Sequence, residues 1–434
     1  MKLVIVGTGY VGLISGLCFA EFGFQTVCVD KDIDRIDSLK KVLCPFYEPG
    51  LENLLNKHLN KTKFLSLDTS LSEAMLGADI IFITVGTPTK RLEDKADLTA
   101  VYKVAEELAS NIKNYCLVVM KSTVPVGTTR EIKKIILQKI NKEKFDIVSN
   151  PEFLREGSAI NDFMRPDRVV FGCDSTKAEK MMRKLYRPLY LLDTPIVSTT
   201  IESSEIIKYA SNSFLATKIA FINQVADLCD AVGGNVQDVA KAMGLDQRIG
   251  SKFLHAGPGF GGSCFPKDVK AFVSTGRKYN VDLSIVDSVN HSNQRRPQEI
   301  VSKILKHFKN DVKDKIFSIL GLSFKPNTDD VRDSISIIIA ESLYKKGAVI
   351  KAYDPKAMEN AKLVLPSIKY SDSIQHSCID ADAIVIGTEW NEFRALNFTL
   401  LKEQMKNHII FDLRNIYHKD ELNNLEFVYY GVGK

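Results

Sequence analysis

The chain has 434 residues, too many for one ordinary core, so two or three domains are expected. Its 45% hydrophobic and 26% charged content is that of a soluble globular protein, and a formal net charge of +5 leaves no basic run that reads as a nucleic-acid or membrane patch, while an anionic substrate still fits. The eight cysteines, at 18, 28, 44, 116, 173, 229, 264 and 378, form no C-x-x-C pair and the seven histidines no H-x-x-x-H, so no disulfide framework and no metal site are expected, and a reducing cytoplasm fits.

Residues Leu3 to Ala20 carry no charge and follow a lysine, the outline of a signal peptide, but a glycine pattern inside them argues otherwise. Lys2 to Val6 is a β-branched run followed at once by G-T-G-Y-V-G. Leu13 to Phe22 then reads as a helix stopped by Gly23, and Phe24 to Val29 as a second strand ending in Asp30. In a dinucleotide site Gly7 makes the tight turn, Gly9 admits a pyrophosphate against the backbone and Gly12 permits close helix–strand packing. Asp30 suits the ribose diol and repels a 2′-phosphate, favouring NAD over NADP, with Lys31 and Arg35 weighing slightly against it.

Further βα units follow at Ala78–Pro88 and Cys116–Gly127, and Phe145 to Ser149 reads as a sixth buried strand. Ligands on such sheets lie beyond the carboxyl ends of the strands, which brings Thr87 and Thr123 to the site unless they merely cap turns. Asn150-Pro-Glu-Phe-Leu-Arg-Glu-Gly follows the sixth strand. Glu152 and Glu156, four apart, share a face if the segment turns helically, and one is a candidate base.

From Glu202 to Ala231 there is no proline or glycine, and Gly233-Gly234 supply a stop, so one helix of roughly 45 Å is expected, long enough for a spine and a dimer surface. Lys208 and Asn212 project together from it among apolar neighbours. Such a lysine is either a snorkelling side chain or a catalytic group of lowered pKa. Next comes G-P-G-F-G-G-S-C-F-P-K-D, residues 257 to 268, whose glycines suit a backbone wrapped around a ligand. Pro266 suits the first position of a helix, which places Cys264 at its positive end with Lys267 close by. That setting lowers a thiol's pKa and makes a nucleophile of what is elsewhere an inert buried cysteine.

After Pro297 strands and helices alternate again. Lys315 to Lys325 echoes the opening strand, and Asp380–Thr388 echoes Gly77–Thr87. This second βαβ region lacks G-x-G-x-x-G, so an anionic ligand there falls to side chains such as Lys325 and Arg332.

G-T-G-Y-V-G, N-P-E-F-L-R-E-G, G-P-G-F-G-G-S-C-F-P-K-D and F-K-P-N-T-D-D-V-R, in this order and spacing, closely resemble the UDP-glucose/GDP-mannose dehydrogenase family along nearly the whole chain. N-P-E-F-L-R-E-G argues against the branch acting on UDP-N-acetylhexosamines. G-P-G-F-G-G-S-C-F-P-K-D and R-P-D-R-V-V-F-G, residues 165 to 172, lean towards UDP-glucose rather than GDP-mannose. The resemblance implies an α/β fold with two Rossmann-like βαβ domains joined by a long central helix: an NAD-binding domain over 1–200, a central helical and dimerisation domain over 201–298, and a UDP-sugar-binding domain over 299–434. It also implies a cytoplasmic homodimer performing an NAD-dependent, four-electron oxidation of a nucleotide sugar.

By the same matching, Cys264 traps the C6 aldehyde as a thiohemiacetal that goes on to a thioester. Lys208 and Asn212 serve the C6 oxygen, Asp268 and Thr123 position a water, and Glu152 is the candidate base for hydrolysis. The resemblance assigns NAD to Val11, Asp30, Arg35, Thr87, Thr123, Glu156, Lys267 and Arg332. It assigns the nucleotide sugar to Glu152, Phe153, Leu154, Arg155, Glu156, Lys208, Asn212, Phe253, Leu254, His255, Ala256, Gly257, Gly261 and Lys325, with Arg248 reaching the sugar of the partner subunit. The rival readings are a GDP-mannose or UDP-N-acetylhexosamine 6-dehydrogenase, a two-electron β-hydroxyacid dehydrogenase that needs no cysteine, and a nucleotide-sensing protein without turnover.

Overall fold

The computed structural model describes residues 1–88 and 96–434. They form two compact units, Met1–Ser211 with Ser274–Val281, and Asn212–Val273 with Asp282–Lys434.

The first unit is built on eight strands: β1 (Lys2–Val6), β2 (Gln25–Val29), β3 (Leu65–Asp68), β4 (Ile80–Ile83), β5 (Cys116–Met120), β6 (Phe145–Ser149), β7 (Val169–Cys173) and β8 (Ile196–Thr199). They lie in the order β3-β2-β1-β4-β5-β6-β7-β8, parallel except where β7 runs antiparallel to β6. The chain therefore reverses direction across the sheet at β1, and the loops after β1 and β4 flank that reversal, where doubly wound sheets bind ligands. Leu3, Ile5, Ile80, Phe82, Leu117 and Val119 fill one face with the helix Tyr10–Glu21, and Val4, Val6, Ile81, Ile83 and Val118 fill the other. Burial on both faces explains why these strands read as unbroken apolar runs.

The second unit carries β9 (Ile316–Leu320), β10 (Val349–Tyr353), β11 (Lys369–Tyr370), β12 (Ala383–Ile386), β13 (Ile409–Asp412) and β14 (Val428–Tyr430), all parallel in the order β11-β10-β9-β12-β13-β14. The echo in the sequence is structural. Asp79 accepts the backbone N–H of Lys2 at 2.8 Å, and Asp382 accepts that of Ile316 at 2.8 Å. Gly7 and Gly321, after the first strand of each sheet, have φ of 102° and 96°, a region open to glycine at little cost.

The acid that ends the second strand marks where the two sheets part. Asp30 accepts from the Thr8 N–H and hydroxyl at 2.7 and 2.8 Å. Asp354 is 1% exposed and accepts from Leu322 N, Ser323 N, the Ser323 hydroxyl and the Trp390 indole N–H at 2.8 to 3.2 Å. Trp390 and the loop after β9 thus saturate a carboxylate that in a dinucleotide site faces the ribose.

The long helix spans Ile201–Val232 and ends at Gly233, whose N–H and that of Gly234 both reach the Cys229 carbonyl. A second long helix, Ser284–His307, runs on through Pro297 and across the boundary expected at 298. Among the described residues no helix is long and apolar enough to cross a membrane.

Candidate functional site

The three glycines after β1 have three different environments. A Cβ on Gly12 would lie 1.9 Å from the Gly7 carbonyl oxygen and 2.6 Å from Thr84 Oγ1, so only glycine lets the helix approach β1 and β4 this closely. Gly7 needs its positive φ. A Cβ on Gly9 would meet nothing within 4 Å, an open face at the N-terminus of the helix that carries Val11, suited to a pyrophosphate. Burial would raise the Asp30 carboxyl, but the Thr8 and Asp32 hydrogen bonds and the Arg35 cation outweigh it and hold it below its usual range. Arg35 lies 3.4 Å from Asp30 and 3.7 Å from Asp32, engaged by carboxylates rather than available to a 2′-phosphate. The Thr87 hydroxyl donates to the Thr123 carbonyl at 2.9 Å, joining the turns after β4 and β5.

Beside this crevice, within the same unit, stands a buried charge cluster. Lys208 Nζ lies 2.8 Å from Glu152 Oε1, with side chains 4% and 5% exposed. Burial pushes Glu152 up, but Lys208, the Leu154 N–H and Lys121 bring its pKa below the ordinary value. The helix is fixed where it presents Lys208: the Ser204 hydroxyl donates to the Ser149 carbonyl at the end of β6, and Glu205 accepts the Gly127 and Thr129 N–H groups at 2.7 and 2.9 Å. Lys208 is therefore no snorkelling side chain.

The segment 151–155 is irregular rather than helical, and Glu156 and Gly157 form a turn in which Gly157 has φ 77°. Pro151 holds Asn150 out of the helical region, so the two glutamates do not share a helical face. Glu156 is buried near Tyr10, whose phenol is pushed up by burial, by Glu48 and by Glu156. The Phe153 ring is covered by the Arg168 guanidinium at 3.8 Å and faces Lys208 at 5.4 Å. Arg155 is turned to Asp162, 2.6 Å away.

The helix Phe265–Lys278 begins one residue earlier than expected, so Pro266 takes its second position and Cys264 its cap, the Cys264 carbonyl accepting the Asp268 N–H at 2.8 Å. The Cys264 sulfur lies 3.5 Å from the Ser263 hydroxyl. Asp268, 1% exposed, accepts from Asn212 Nδ2 at 2.7 Å on one oxygen and pairs with Lys267 at 3.0 Å on the other. Asn212 is thus tied to the helix that Cys264 caps.

The glycine loop before the thiol packs against the F-K-P-N-T-D-D-V-R segment. A Cβ on Gly261 would lie 2.2 Å from the Asp333 carbonyl oxygen, one on Gly262 would lie 2.7 Å from the Phe324 ring, and Gly262 N–H donates to the Arg332 carbonyl. Gly257 N–H donates to Asn223 at 2.8 Å. Phe253 has φ 65°, Leu254 and Ala256 are buried and His255 is exposed. Lys325 Nζ lies 5.3 Å from the Phe324 ring centroid. Arg332 pairs with Asp330 at 2.6 Å, and Arg248, 88% exposed, with Asp246 at 2.6 Å.

Sequence reasoning passes over two cations. Lys121, directly after β5, is buried against Asn150 and acts on Glu152. Arg414, just after β13, donates to the Phe324 and Gly387 carbonyls at 3.0 and 2.8 Å. Both stand at the carboxyl end of a strand, the signal that picks out Thr87 and Lys325.

The chain is similar to known proteins over its whole length. Models of the UDP-glucose/GDP-mannose dehydrogenase family match residues 1–190 (NAD binding domain), 202–295 (central domain) and 318–419 (UDP binding domain). The chain is 48% identical over 436 residues to a UDP-glucose 6-dehydrogenase of Rhizobium meliloti (strain 1021), covering 100% of both chains. It superposes on a UDP-glucose dehydrogenase from the hyperthermophilic archaeon Pyrobaculum islandicum with a TM-score of 0.92 at 35% identity, covering 100% of this chain and 97% of that one. A UDP-D-ManNAc dehydrogenase from Pyrococcus horikoshii gives 0.87 at 26% identity, covering 100% and 99%.

Proposed function

The chain belongs to the UDP-glucose/GDP-mannose dehydrogenase family, and on that premise we propose that it oxidises UDP-glucose at C6 to UDP-glucuronate with NAD as coenzyme. The observation that carries a four-electron rather than a two-electron oxidation is Cys264, half-buried at the cap of a helix, where the dipole favours a thiolate. A two-electron dehydrogenase has no use for that thiol.

Bound NAD supplies the acceptor for a hydride at each of the two oxidations. Lys208 assists loss of the C6 hydroxyl proton as the first hydride leaves, giving the aldehyde. The Cys264 thiolate adds to that carbon, forming a C–S bond, and the resulting alkoxide is held by the Lys208 ammonium and the Asn212 amide. Departure of the second hydride converts this thiohemiacetal into a thioester. A water positioned by Thr123 and Asp268 then attacks, Glu152 takes one of its protons, the C–S bond breaks with its electron pair returning to sulfur as the thiolate, and the carboxylic acid formed gives its remaining proton to solvent as the product leaves.

Val11, Asp30, Arg35, Thr87, Thr123, Glu156, Lys267 and Arg332 serve NAD in this reading. Glu152 to Glu156, Lys208, Asn212, Phe253 to Gly257, Gly261 and Lys325 serve the nucleotide sugar, and Arg248 that of the partner subunit. The division into 1–200, 201–298 and 299–434 is supported by family matches over 1–190, 202–295 and 318–419. A homodimer is supported by Phe214, Phe221 and Leu228, seven residues apart on the long helix and 66%, 49% and 62% exposed, with Val232 at 71%. The eight free thiols fit a reducing cytoplasm.

The test is the yield of NADH per UDP-glucose consumed. We expect about two for the wild type, one hydride for each oxidation, and no completed oxidation for Cys264→Ser. A wild-type ratio of one, or faster turnover of GDP-mannose or a UDP-N-acetylhexosamine, contradicts the reading.

A further inference from the structure

Lys121 follows β5 directly and is 4% exposed. Its ammonium lies 5.7 Å from the centroid of the Phe163 ring and donates to Asn150 Oδ1 at 3.4 Å. Asn150 is itself held in place: its amide donates to the Val170 carbonyl at 2.7 Å, and its oxygen also accepts the Tyr186 hydroxyl at 2.7 Å. A buried ammonium with one long hydrogen bond is costly unless a counter-charge faces it. The charged groups that act on it are the Glu152 carboxylate, on the loop after β6, and the Lys208 ammonium, on the long helix. The Tyr186 phenol is joined to Lys121 through Asn150. The buried Glu152 carboxylate therefore feels two buried ammonium groups, Lys208 in direct contact and Lys121 held beside it by Asn150.

In the reaction proposed above, Lys208 has two claims on it. It neutralises Glu152, and it must serve the oxygen at the reacting carbon. If it turned from the first to the second with no other cation present, Glu152 would be an isolated buried carboxylate, which relieves itself by taking up a proton. A protonated Glu152 accepts nothing from water.

We propose that Lys121 is a positioning residue for this reaction, a standing counter-ion that keeps Glu152 ionised and so frees Lys208 for the substrate oxygen. Burial brings the Lys121 pKa down to about 8, with Glu152 opposing and Lys208 adding to the fall, so its charge is present at neutral pH. The inference rests on the proposed function for its catalytic meaning, but the counter-ion relationship is measurable without turnover.

The experiment compares full-length wild type, Lys121→Met, which keeps the apolar stem, and Lys121→Arg, which keeps the charge. Each is labelled with glutamate carrying 13C in its carboxyl group, and the Glu152 resonance is identified by its loss in Glu152→Gln. We expect the Glu152 titration midpoint to rise by about one pH unit in Lys121→Met, the effect of removing a nearby cation, and to return with Lys121→Arg. The acid limb of kcat for UDP-glucose should move with it, while KM for UDP-glucose and NAD stays within about twofold, since on this proposal Lys121 acts through Glu152 and not on either ligand. An unmoved midpoint overturns the proposal, and so does a midpoint that moves while the acid limb stays. Absence of UDP-glucose-dependent NADH in the wild type would refute the proposed function instead, and the NMR midpoint would still decide whether Lys121 is the counter-ion.

Discussion

Lys208 and Glu152 form an ion pair, Nζ to Oε1 at 2.8 Å, with both side chains removed from solvent. Breaking a buried ion pair costs about 3–5 kcal/mol where nothing else compensates the charge left behind, an upper bound for loss of Lys208 because Lys121 still acts on Glu152. Lys208→Met should therefore lose stability up to that scale in urea titrations and lower kcat by about 10²–10⁴, the usual share of a positioned proton-transfer group. Combining it with Glu152→Gln should recover much of the stability and none of the turnover. Strictly additive losses in the double variant would show that the two do not act as a pair. Glu152 is held below its ordinary 4.5, so its contribution is present above 4.5 and lost as pH falls through the lower folded value.

Lys121 has the same sign of pH dependence, but at neutral pH it carries a cost where Glu152 carries a gain. Its folded pKa is about 8 against an ordinary 10.5, so between these values the unfolded chain binds more protons than the native one. Stability should rise with pH across that window, with a slope on the order of 1.4 kcal/mol per pH unit. Lys121→Met should abolish the rise and be more stable than wild type at neutral pH, while being the poorer enzyme. Denaturation midpoints at several pH values check both parts, and a flat wild-type profile would refute the first.

Gly12 and Gly9 should respond differently to the same added methyl. Gly12→Ala places it 1.9 Å from the Gly7 carbonyl oxygen and should cost about 3 kcal/mol of stability. Gly9→Ala places it in open space and should fold normally while losing NAD affinity, because the methyl occupies the face offered to the pyrophosphate. Calorimetry of both variants with and without NAD separates the two effects.

Asp30 anchors the turn after β1 and occupies Arg35. Asp30→Ala removes a charged acceptor and releases Arg35, so kcat/KM for NAD should fall by roughly tenfold or more, the value of one charge-assisted hydrogen bond. The ratio of NADP to NAD use should rise. Steady-state kinetics with each coenzyme measures this, and an unchanged ratio would show that Asp30 does not select.

The exposed stripe on the long helix makes the dimer testable. Leu228→Lys or Phe221→Asp places a charge in an otherwise apolar contact and should shift the protein to monomer in light scattering, with little change in melting of the isolated subunit. A wild-type monomer at micromolar concentration would remove the proposal.

Where the sequence is legible, a single local cause is at work. β6 can be read to the residue because Phe-Asp-Ile-Val-Ser, apolar at Phe145, Ile147 and Val148, lies between Lys144 and Asn-Pro, and the long helix because nothing breaks it before Gly233. The glycine roles follow from motif spacing. The segment 151–155 misleads because spacing alone cannot say whether proline and Gly157 will let a helix form. Lys121 escapes notice because its partner Glu152 is thirty-one residues away, beyond the next strand, a proximity made by sheet pairing rather than by local pattern. The antiparallel β7 escapes for the same reason.

The chain's single tryptophan lies in the second unit, its indole N–H bound to Asp354. Its emission is therefore a label for one half of the molecule alone. A denaturant curve followed by fluorescence isolates the loss of that half's sheet, and its offset from a curve followed by circular dichroism measures how independently the two halves come apart.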